Sequence, residues 1–199
     1  IDLEVTRGDF VVITGRSGSG KTTLLNLAAG LTRPSSGEVL VGGVNLWTLP
    51  DREQSLLRNQ RIGFAFQFPS LLPSLTVQEN VALPTMFGPK EGRVGAHERA
   101  AKLLGEVGLS DKLNAYPRQL SAGQYKRTVI ARSLINGPEM LFADEPTGDL
   151  DEQTEREFMS FLREIYKAAG LTVLLVTHNR DLILYGTRAV EMANGEIVS

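Results

Sequence analysis

The 199-residue sequence has no cysteine, which excludes disulfide bonds and cysteine-ligated metal sites. It has only two histidines, so a zinc site built mainly from histidine is not expected. No apolar run approaches the roughly 18–20 residues that span a bilayer, so any role at a membrane requires a partner protein. The formal net charge is −2, without the basic excess of a dedicated nucleic-acid binder, and we expect no nucleic-acid partner.

The composition is that of an ordinary folded domain. Hydrophobic residues make up 42% of the chain and charged residues 22%, which argues against wholesale disorder. The sequence begins with Ile1 and has no signal-peptide pattern. We therefore expect a chain truncated at its N-terminus.

Short apolar runs alternate with longer helical patterns, which predicts an α/β fold with a mostly parallel sheet covered on both faces. The dipeptide Asn194-Gly195 predicts a hairpin that adds an antiparallel β edge. We expect one domain over 1–199, with an α/β core at 1–68 and 138–199 and an inserted helical subdomain at 69–137. The predicted strands are 10–14, 38–41, 62–66, 140–143, 172–177, 189–193 and 196–198, and the helices within the insertion are 76–86, 96–107 and 123–136.

Residues 15–22 read GRSGSGKT and match the phosphate-loop pattern G-x-x-x-x-G-K-[ST]. An apolar strand precedes the motif and a helix follows it, which disfavours a coincidental glycine-rich turn. The glycines permit backbone conformations in which successive N–H groups face an anion. We expect Lys21 to bridge the β- and γ-phosphates of a nucleotide, and Thr22 to place its hydroxyl on Mg²⁺. The predicted nucleotide-binding residues here are Gly15, Arg16, Ser17, Gly18, Ser19, Gly20, Lys21, Thr22 and Thr23.

An acidic pair follows the apolar run 140–143. The carboxyl ends of parallel strands are where such sheets bind ligands, which places Asp144 and Glu145 beside the nucleotide. We expect Asp144 to hold Mg²⁺, directly or through water, and Glu145 to polarise the attacking water as general base. A solvated acidic turn is the alternative, and the phosphate loop makes it less favoured.

The segment 120–124 reads LSAGQ and leads into a predicted helix. Ser121 can cap that helix, and the free N–H groups of its first turn can bind an anion. An ordinary helix cap explains the segment equally well when it is taken alone. Gln67 and His178 each follow a predicted strand at its carboxyl end, where a polar residue or a lone histidine is often structural.

Together these segments resemble the nucleotide-binding subunit of ATP-binding cassette (ABC) transporters, over nearly the whole chain and in the order of that family. The segments in that order are GRSGSGKT, Gln67, LSAGQ, MLFADE, GDLD at 148–151 and His178.

The resemblance implies a P-loop NTPase core and a head-to-tail dimer, formed either by two copies or by a paired cassette. Two ATP molecules would lie at the interface, each between the phosphate loop of one subunit and the LSAGQ segment of the other. In that arrangement Ser121 and Gly123 touch the γ-phosphate of the partner's ATP, and Gln124 lies in the same binding segment.

The resemblance also assigns roles by position. Gln67 would sense Mg²⁺ and the attacking water and would link to the membrane subunit. Asp151 would organise the dimer interface, and His178 would hold the γ-phosphate. The expected Mg²⁺ set is Thr22, Gln67 and Asp144, and the expected catalytic set is Glu145, His178 and Gln67.

The sequence departs from the family pattern in a few places. Ala122 replaces a glycine of the usual LSGGQ, and we expect it in the first helical turn, where alanine fits. Tyr125 and Lys126 stand where glutamines are common, and Asp149 occupies a variable position. The aromatic residue that stacks on adenine in the family has no candidate before Gly15, which the expected truncation explains.

We therefore expect an ATP-hydrolysing motor subunit bound to membrane-spanning permease subunits at the cytoplasmic face of the inner or plasma membrane. Stretches such as ADEPTGDLD and VTHN most resemble the subgroup that serves lipoprotein release, macrolide export and bacterial cell division. A non-transport cassette of DNA repair or translation is one alternative, and a dimerisation module with little turnover is another. A GTPase or small-molecule kinase is a third, although it would leave LSAGQ unexplained. The cargo and its direction of transport remain open.

Overall fold

A computed structural model describes residues 1–67 and 71–198. Strands and helices alternate through most of this range, as the sequence predicts. The strands are β1 (Phe10–Thr14), β2 (Leu40–Val41), β3 (Val44–Asn45), β4 (Ile62–Ala65), β5 (Met140–Asp144), β6 (Thr172–Val176), β7 (Arg188–Ala193) and β8 (Glu196–Ile197), and the α-helices are α1 (Lys21–Ala28), α2 (Asp51–Arg61), α3 (Val77–Ala82), α4 (Ala96–Glu106), α5 (Ala122–Leu134) and α6 (Glu152–Ala169).

Within the described residues, six strands form one sheet in the order β4-β5-β6-β1-β7-β8. Neighbouring strands are parallel except β7 and β8, which form the antiparallel edge that the Asn194-Gly195 turn predicts. Both turn residues have positive φ, 51° and 81°, as a tight hairpin turn requires. β2 and β3 pair separately as a short antiparallel ribbon.

The central strands are buried on both faces because helices cover each side of the sheet. Along β1, Val11 and Ile13 pack on the side of α1, while Phe10 and Val12 pack on the side of α5 and α6. This alternation follows from the two-residue period of a strand. In the sequence, a strand buried on both faces is therefore a continuous run of β-branched and aromatic residues, and these do not alternate with polar residues.

Sharp caps fix the longest helix, α6. The Asp151 carboxylate accepts a hydrogen bond of 3.0 Å from the Thr154 N–H at its start, and Gly170 ends it in the left-handed conformation with φ of 61°. Phe158, Met159 and Leu162 lie on its buried face.

Two predicted elements are wrong in extent. The helix predicted over 76–86 is α-helical only over Val77–Ala82 and continues as a 3₁₀ helix over Leu83–Phe87. Pro84 explains the change, because it has no N–H to donate and its ring blocks the preceding turn of an α-helix. The strand predicted over 38–41 forms only at Leu40–Val41.

The predicted α/β fold class is correct, and the helices between β4 and β5 pack into the same hydrophobic cluster as one face of the sheet. The predicted boundary at 68/69 lies outside the described residues, and the division into core and subdomain stays a prediction. In the described ranges, no helix is long and apolar enough to cross a membrane.

Candidate active site

The carboxyl ends of four parallel strands meet at one edge of the sheet. Ala65 pairs with Ala143, and Val176 pairs with both Ile13 and Asp144, so β4, β5, β6 and β1 end at nearly the same level. The candidate residues that the sequence places after these strands therefore converge on one edge, where open α/β sheets bind ligands.

The loop 15–20 lies between β1 and α1 and has the glycine-dependent backbone that the sequence predicts. Gly18 and Gly20 have φ of 77° and 98°, which residues with a Cβ rarely adopt. A Cβ on Gly15 would lie 2.3 Å from the Met192 carbonyl oxygen of β7. The turn after β7 also holds the loop, because the Gly195 N–H donates to the Ser19 carbonyl at 3.0 Å.

Lys21 begins α1 and is buried, with 7% of its surface exposed. Its ammonium donates to the carbonyl oxygens of Gly15 and Arg16, at 2.8 and 3.1 Å. These bonds hold the cation across the opening of the loop. The Ser19 hydroxyl is also buried in this loop, and no partner for it is found among the described residues. Arg16, Ser17, Thr22 and Thr23 are exposed around the same loop.

Thr22 and Asp144 are 122 positions apart in the sequence and meet in the fold. The Thr22 hydroxyl donates to the Asp144 carboxylate at 3.2 Å. Burial raises the pKa of Asp144, and the nearby Glu145 adds to this rise, while the bond from Thr22 and the charge of Lys21 oppose it. The net effect is a raised pKa, because the cost of burying the charged carboxylate outweighs the stabilisation from Thr22 and Lys21.

A hydroxyl and a carboxylate oxygen are ligands of the type that Mg²⁺ prefers, so this pair fits the predicted metal. Gln67 is exposed, and it lines a groove of about 660 Å³ together with Thr22 and Asp144. All three residues of the expected Mg²⁺ set therefore face one space. No cluster of three or more histidine, aspartate or glutamate side chains that could hold a metal is found in the described part of the chain.

Glu145 follows β5 with φ of 44°, a left-handed conformation that is uncommon outside glycine and often marks functional sites. Its carboxylate lies 3.0 Å from Nδ1 of His178 and accepts a 3.2 Å hydrogen bond from the Thr177 hydroxyl. The Glu145 side chain is 12% exposed and that of His178 is 72% exposed. The predicted base and the predicted γ-phosphate ligand are thus neighbours, with the imidazole on the outer side.

Three further residues near this pair were not predicted from the sequence. Glu155 accepts hydrogen bonds from Thr147 and Asn179, and Asn179 donates its backbone N–H to the Thr177 hydroxyl. Thr147 and Asn179 each lie within two residues of a predicted site residue, but nothing in the sequence pairs Glu155 with either of them.

The LSAGQ segment lies at the start of α5. Ser121 is its N-cap, and the Ser121 and Gln124 side chains bond reciprocally to each other's backbone N–H in a capping box. Ala122 is the first helical residue, as predicted. A Cβ on Gly123 would lie 3.1 Å from the Thr154 methyl group, so Gly123 also allows close packing on α6. Across the ranges that the structure covers, no hydrogen bond or ion pair joins residues 121–124 to the loop 15–20 of the same chain.

Asp151 lies at the start of α6 and is exposed. Hydrogen bonds from the Thr154 hydroxyl and backbone N–H lower the pKa of its carboxyl. Its position before α6 is therefore fixed by a helix cap, and its side chain is accessible from outside the chain.

The strand, glycine-rich loop and helix, with the buried Lys21 and the carboxylates at the next strand end, define a P-loop nucleoside-triphosphate-binding domain. A family model described as "ABC transporter" matches residues 1–148. The chain belongs to the ABC transporter family.

Individual relatives agree with this assignment. The chain is 46% identical to "Macrolide export ATP-binding/permease protein MacB" of Nitrosomonas europaea, in a match that covers 100% of the chain and 30% of that protein. It is 40% identical to "Lipoprotein-releasing system ATP-binding protein LolD" of Syntrophus aciditrophicus, in a match that covers 100% of the chain and 89% of that protein. The chain thus spans under a third of the first relative and most of the second.

A solved structure has the same fold. It is the "Dimeric structure of a post-hydrolysis state of the ATP-binding cassette MJ0796 bound to ADP and Pi", with a TM-score of 0.87, 38% identity, and coverage of 99% of this chain and 86% of that one. The predicted family, fold class and similarity to the lipoprotein-release and macrolide-export subgroup are confirmed. The chain is an ATP-binding cassette with the ATPase function of its family.

Proposed function

We propose that this cassette is the motor subunit of a membrane transporter, and that it binds and hydrolyses MgATP at the edge of the sheet described above. The observation that carries the proposal is the convergence of Lys21, Thr22, Asp144, Glu145 and His178 on one strand edge. A phosphate loop alone would serve many reactions, whereas a buried carboxylate beside it and a second one against an imidazole suit hydrolysis of a bound triphosphate.

Each residue has a distinct role in this proposal. The N–H groups of residues 15–20 and the Lys21 ammonium bind the phosphates, which requires Lys21 to exchange its two carbonyl partners for phosphate oxygens. Arg16, Ser17 and Thr23 flank the same phosphates. Thr22, Asp144 and Gln67 hold Mg²⁺, which neutralises phosphate charge when bound.

Glu145 takes the proton from the attacking water. A general base must lie within hydrogen-bonding reach of that water and must be able to accept the proton. A carboxylate meets the second condition, and the Glu145 side chain is 12% exposed and therefore not fully enclosed by the protein. His178 lies between this carboxylate and solvent, where it can change partner from Glu145 to a γ-phosphate oxygen.

The site is completed by a second cassette. Ser121, Gly123 and Gln124 lie at the start of a helix whose exposed N-terminus is suited to an anion. Among the described residues, no hydrogen bond or ion pair joins them to the phosphate loop of their own chain. We therefore place them on the γ-phosphate of the partner's ATP in a head-to-tail dimer, with Asp151 at the interface. The second cassette is either another copy of this chain or a related subunit.

The relatives named above take part in lipoprotein release and in macrolide export, according to their names. By analogy, the partner of this chain is a membrane-spanning permease, and the cassette lies peripherally at the cytoplasmic face of the membrane. The permease then determines which cargo the complex moves.

Lys21→Ala tests the phosphate-loop assignment. The variant should lose MgATP binding, because it removes the buried cation of the loop and the triphosphate carries several negative charges. Fluorescent-nucleotide titration measures the affinity, and Lys126→Ala in α5 is the control. An unchanged affinity in Lys21→Ala would contradict the assignment.

A second assay compares ATP and GTP turnover by the wild-type chain. Turnover of ATP supports the motor function. ATP-dependent dimerisation without turnover would instead support the alternative of a dimerisation module.

A further inference from the structure

The carboxylate of Glu155, which is not among the predicted site residues, connects the loop that carries Glu145 to the loop that carries His178. Glu155 lies in the first turn of α6. Its Oε1 accepts a 2.5 Å hydrogen bond from the Thr147 hydroxyl, and its Oε2 accepts a 2.8 Å bond from the Asn179 amide. Thr147 is two residues after Glu145, and Asn179 directly follows His178.

These bonds close a ring with the site. The Asn179 backbone N–H donates to the Thr177 hydroxyl at 3.0 Å, and that hydroxyl donates to the Glu145 carboxylate at 3.2 Å. On the other side, the Gly148 N–H donates to the Glu145 carbonyl at 3.1 Å, which closes the turn containing Thr147. Glu145 is thus connected to Glu155 in two ways, through the loop after β5 and through the loop after β6. Each connection combines hydrogen bonds with a short stretch of the chain.

The chemistry of Glu155 suits a bridge. A carboxylate only accepts hydrogen bonds, and both of its partners here are donors, so neither bond depends on a tautomer. Bonds to an ionised acceptor are stronger than neutral ones, and the N-terminal turn of α6 stabilises the negative charge. Thr147 is 5% exposed, so water has little access to replace this contact.

Glu145 has a backbone that needs such support. A non-glycine residue at φ of 44° persists only where its surroundings hold it in place. We propose that Glu155 is a positioning residue, which sets Glu145 and His178 relative to each other by tying the loop after β5 to the loop after β6. The inference rests on the proposed function, in which those two residues act on ATP.

Two substitutions separate this role from general stabilisation. Glu155→Ala removes both bonds, and we expect kcat to fall roughly tenfold while KM for ATP stays within about twofold, because small displacements at a reacting centre lower turnover strongly. Glu155→Gln should restore kcat to within about threefold of wild type. Its amide nitrogen can donate to the Thr147 hydroxyl while its oxygen accepts from Asn179. Glu164→Gln, at an exposed position of the same helix, is the matched control and should equal wild type.

Thr147→Val gives an independent test with little change in side-chain shape. It removes one of the two bonds to Glu155 and should also lower kcat. The double variant Thr147→Val/Glu155→Ala should be no slower than Glu155→Ala alone, because both changes break one ring. A multiplicative loss in the double variant would overturn the inference, since it would mean that the two residues act separately.

A spectroscopic readout does not depend on turnover. The chain has two histidines, His97 on the exposed face of α4 and His178 in the site, so their imidazole NMR signals are readily told apart. In nucleotide-free protein at constant pH, Glu155→Ala should shift the His178 signals and leave those of His97 in place. Unmoved His178 signals together with unchanged kcat would overturn the inference. If the wild-type protein itself does not hydrolyse ATP, the proposed function fails instead, and the NMR comparison still decides whether Glu155 positions His178.

Discussion

Gly15→Ala should both destabilise the protein and disable the phosphate loop. The added Cβ would lie 2.3 Å from the Met192 carbonyl oxygen and 2.7 Å from the Ser19 hydroxyl. Gly15 also has φ of 150°, a backbone conformation that residues with a Cβ rarely adopt. The substitution therefore combines a steric conflict with backbone strain at the same residue.

The magnitude follows from what would have to move. An ordinary carbon–oxygen contact is about 3.3 Å or longer, so the Met192 carbonyl must shift by roughly 1 Å. Met192 is 1% exposed and lies in β7, which pairs with β1, so a strand of the sheet must move rather than a flexible side chain. Overpacking costs about 1–3 kcal/mol and a strained backbone about 1–3 kcal/mol, which together are a large part of a typical stability of about 5–15 kcal/mol.

Urea unfolding of the nucleotide-free protein measures this loss, and two other glycines provide controls. Gly18 in the same loop and Gly37 outside it have φ of 77° and 81°, and a Cβ at either position meets none of the described atoms within 4 Å. Alanine there should cost only the left-handed strain of about 1–2 kcal/mol. If Gly15→Ala costs no more than Gly37→Ala, the close approach of β7 to the loop is wrong.

Two further predictions concern helix starts. Ala122→Gly should change ATPase activity by less than about threefold. Ala122 is the first residue of α5, and glycine costs at most about 1 kcal/mol relative to alanine in a helix. A large gain of activity in a steady-state assay would contradict this and would show that Ala122 slows the motor. Hydrogen bonds from the Thr76 backbone N–H and hydroxyl lower the pKa of Glu79 at the start of α3, so its ionised form stabilises the folded state. The wild-type protein should therefore be more stable than Glu79→Gln near pH 7, and this difference in stability should shrink as the pH falls below about 4.5 through the lowered pKa. Urea unfolding across this pH range measures the difference. A difference that does not depend on pH would contradict the stabilising role of the ionised Glu79.

The sequence predicts most of the site because each motif is local. The loop 15–22 carries its own glycines and its own helix start, and Asp144 directly follows a buried strand. The parallel sheet then brings separate strand ends to one edge, so Thr22 and Asp144 meet across 122 positions of sequence. The α/β class and the position of the site at the carboxyl ends of the strands follow from these patterns, whereas the order of the strands in the sheet was not predicted.

Other features depend on contacts that no local pattern encodes. Glu155 is an ordinary acidic residue in the first turn of a helix, and its bonds to Thr147 and Asn179 exist only in the folded chain. The early end of α3 follows from Pro84. The helix was predicted from the spacing of its apolar residues, and that spacing takes no account of a proline. The contact of His178 with Glu145 was likewise not predicted, because the resemblance assigned His178 to the phosphate.

The roles that the site gives to Glu145 and to the second cassette are tested together by one variant. Glu145→Gln keeps the size of the side chain and its ability to accept a hydrogen bond from Thr177, but it cannot take a proton. Hydrolysis should fall by about 10²–10⁴-fold while ATP still binds. Because ATP then persists between the two cassettes, the trapped dimer should accumulate.

Size-exclusion chromatography of Glu145→Gln, run without nucleotide, with saturating MgATP and with MgADP, measures this directly. The variant should elute as a monomer without nucleotide, as a dimer with MgATP and as a monomer with MgADP. Elution as a monomer in all three conditions, or ATP turnover at the wild-type rate, would contradict the roles given to Glu145 and to the second cassette.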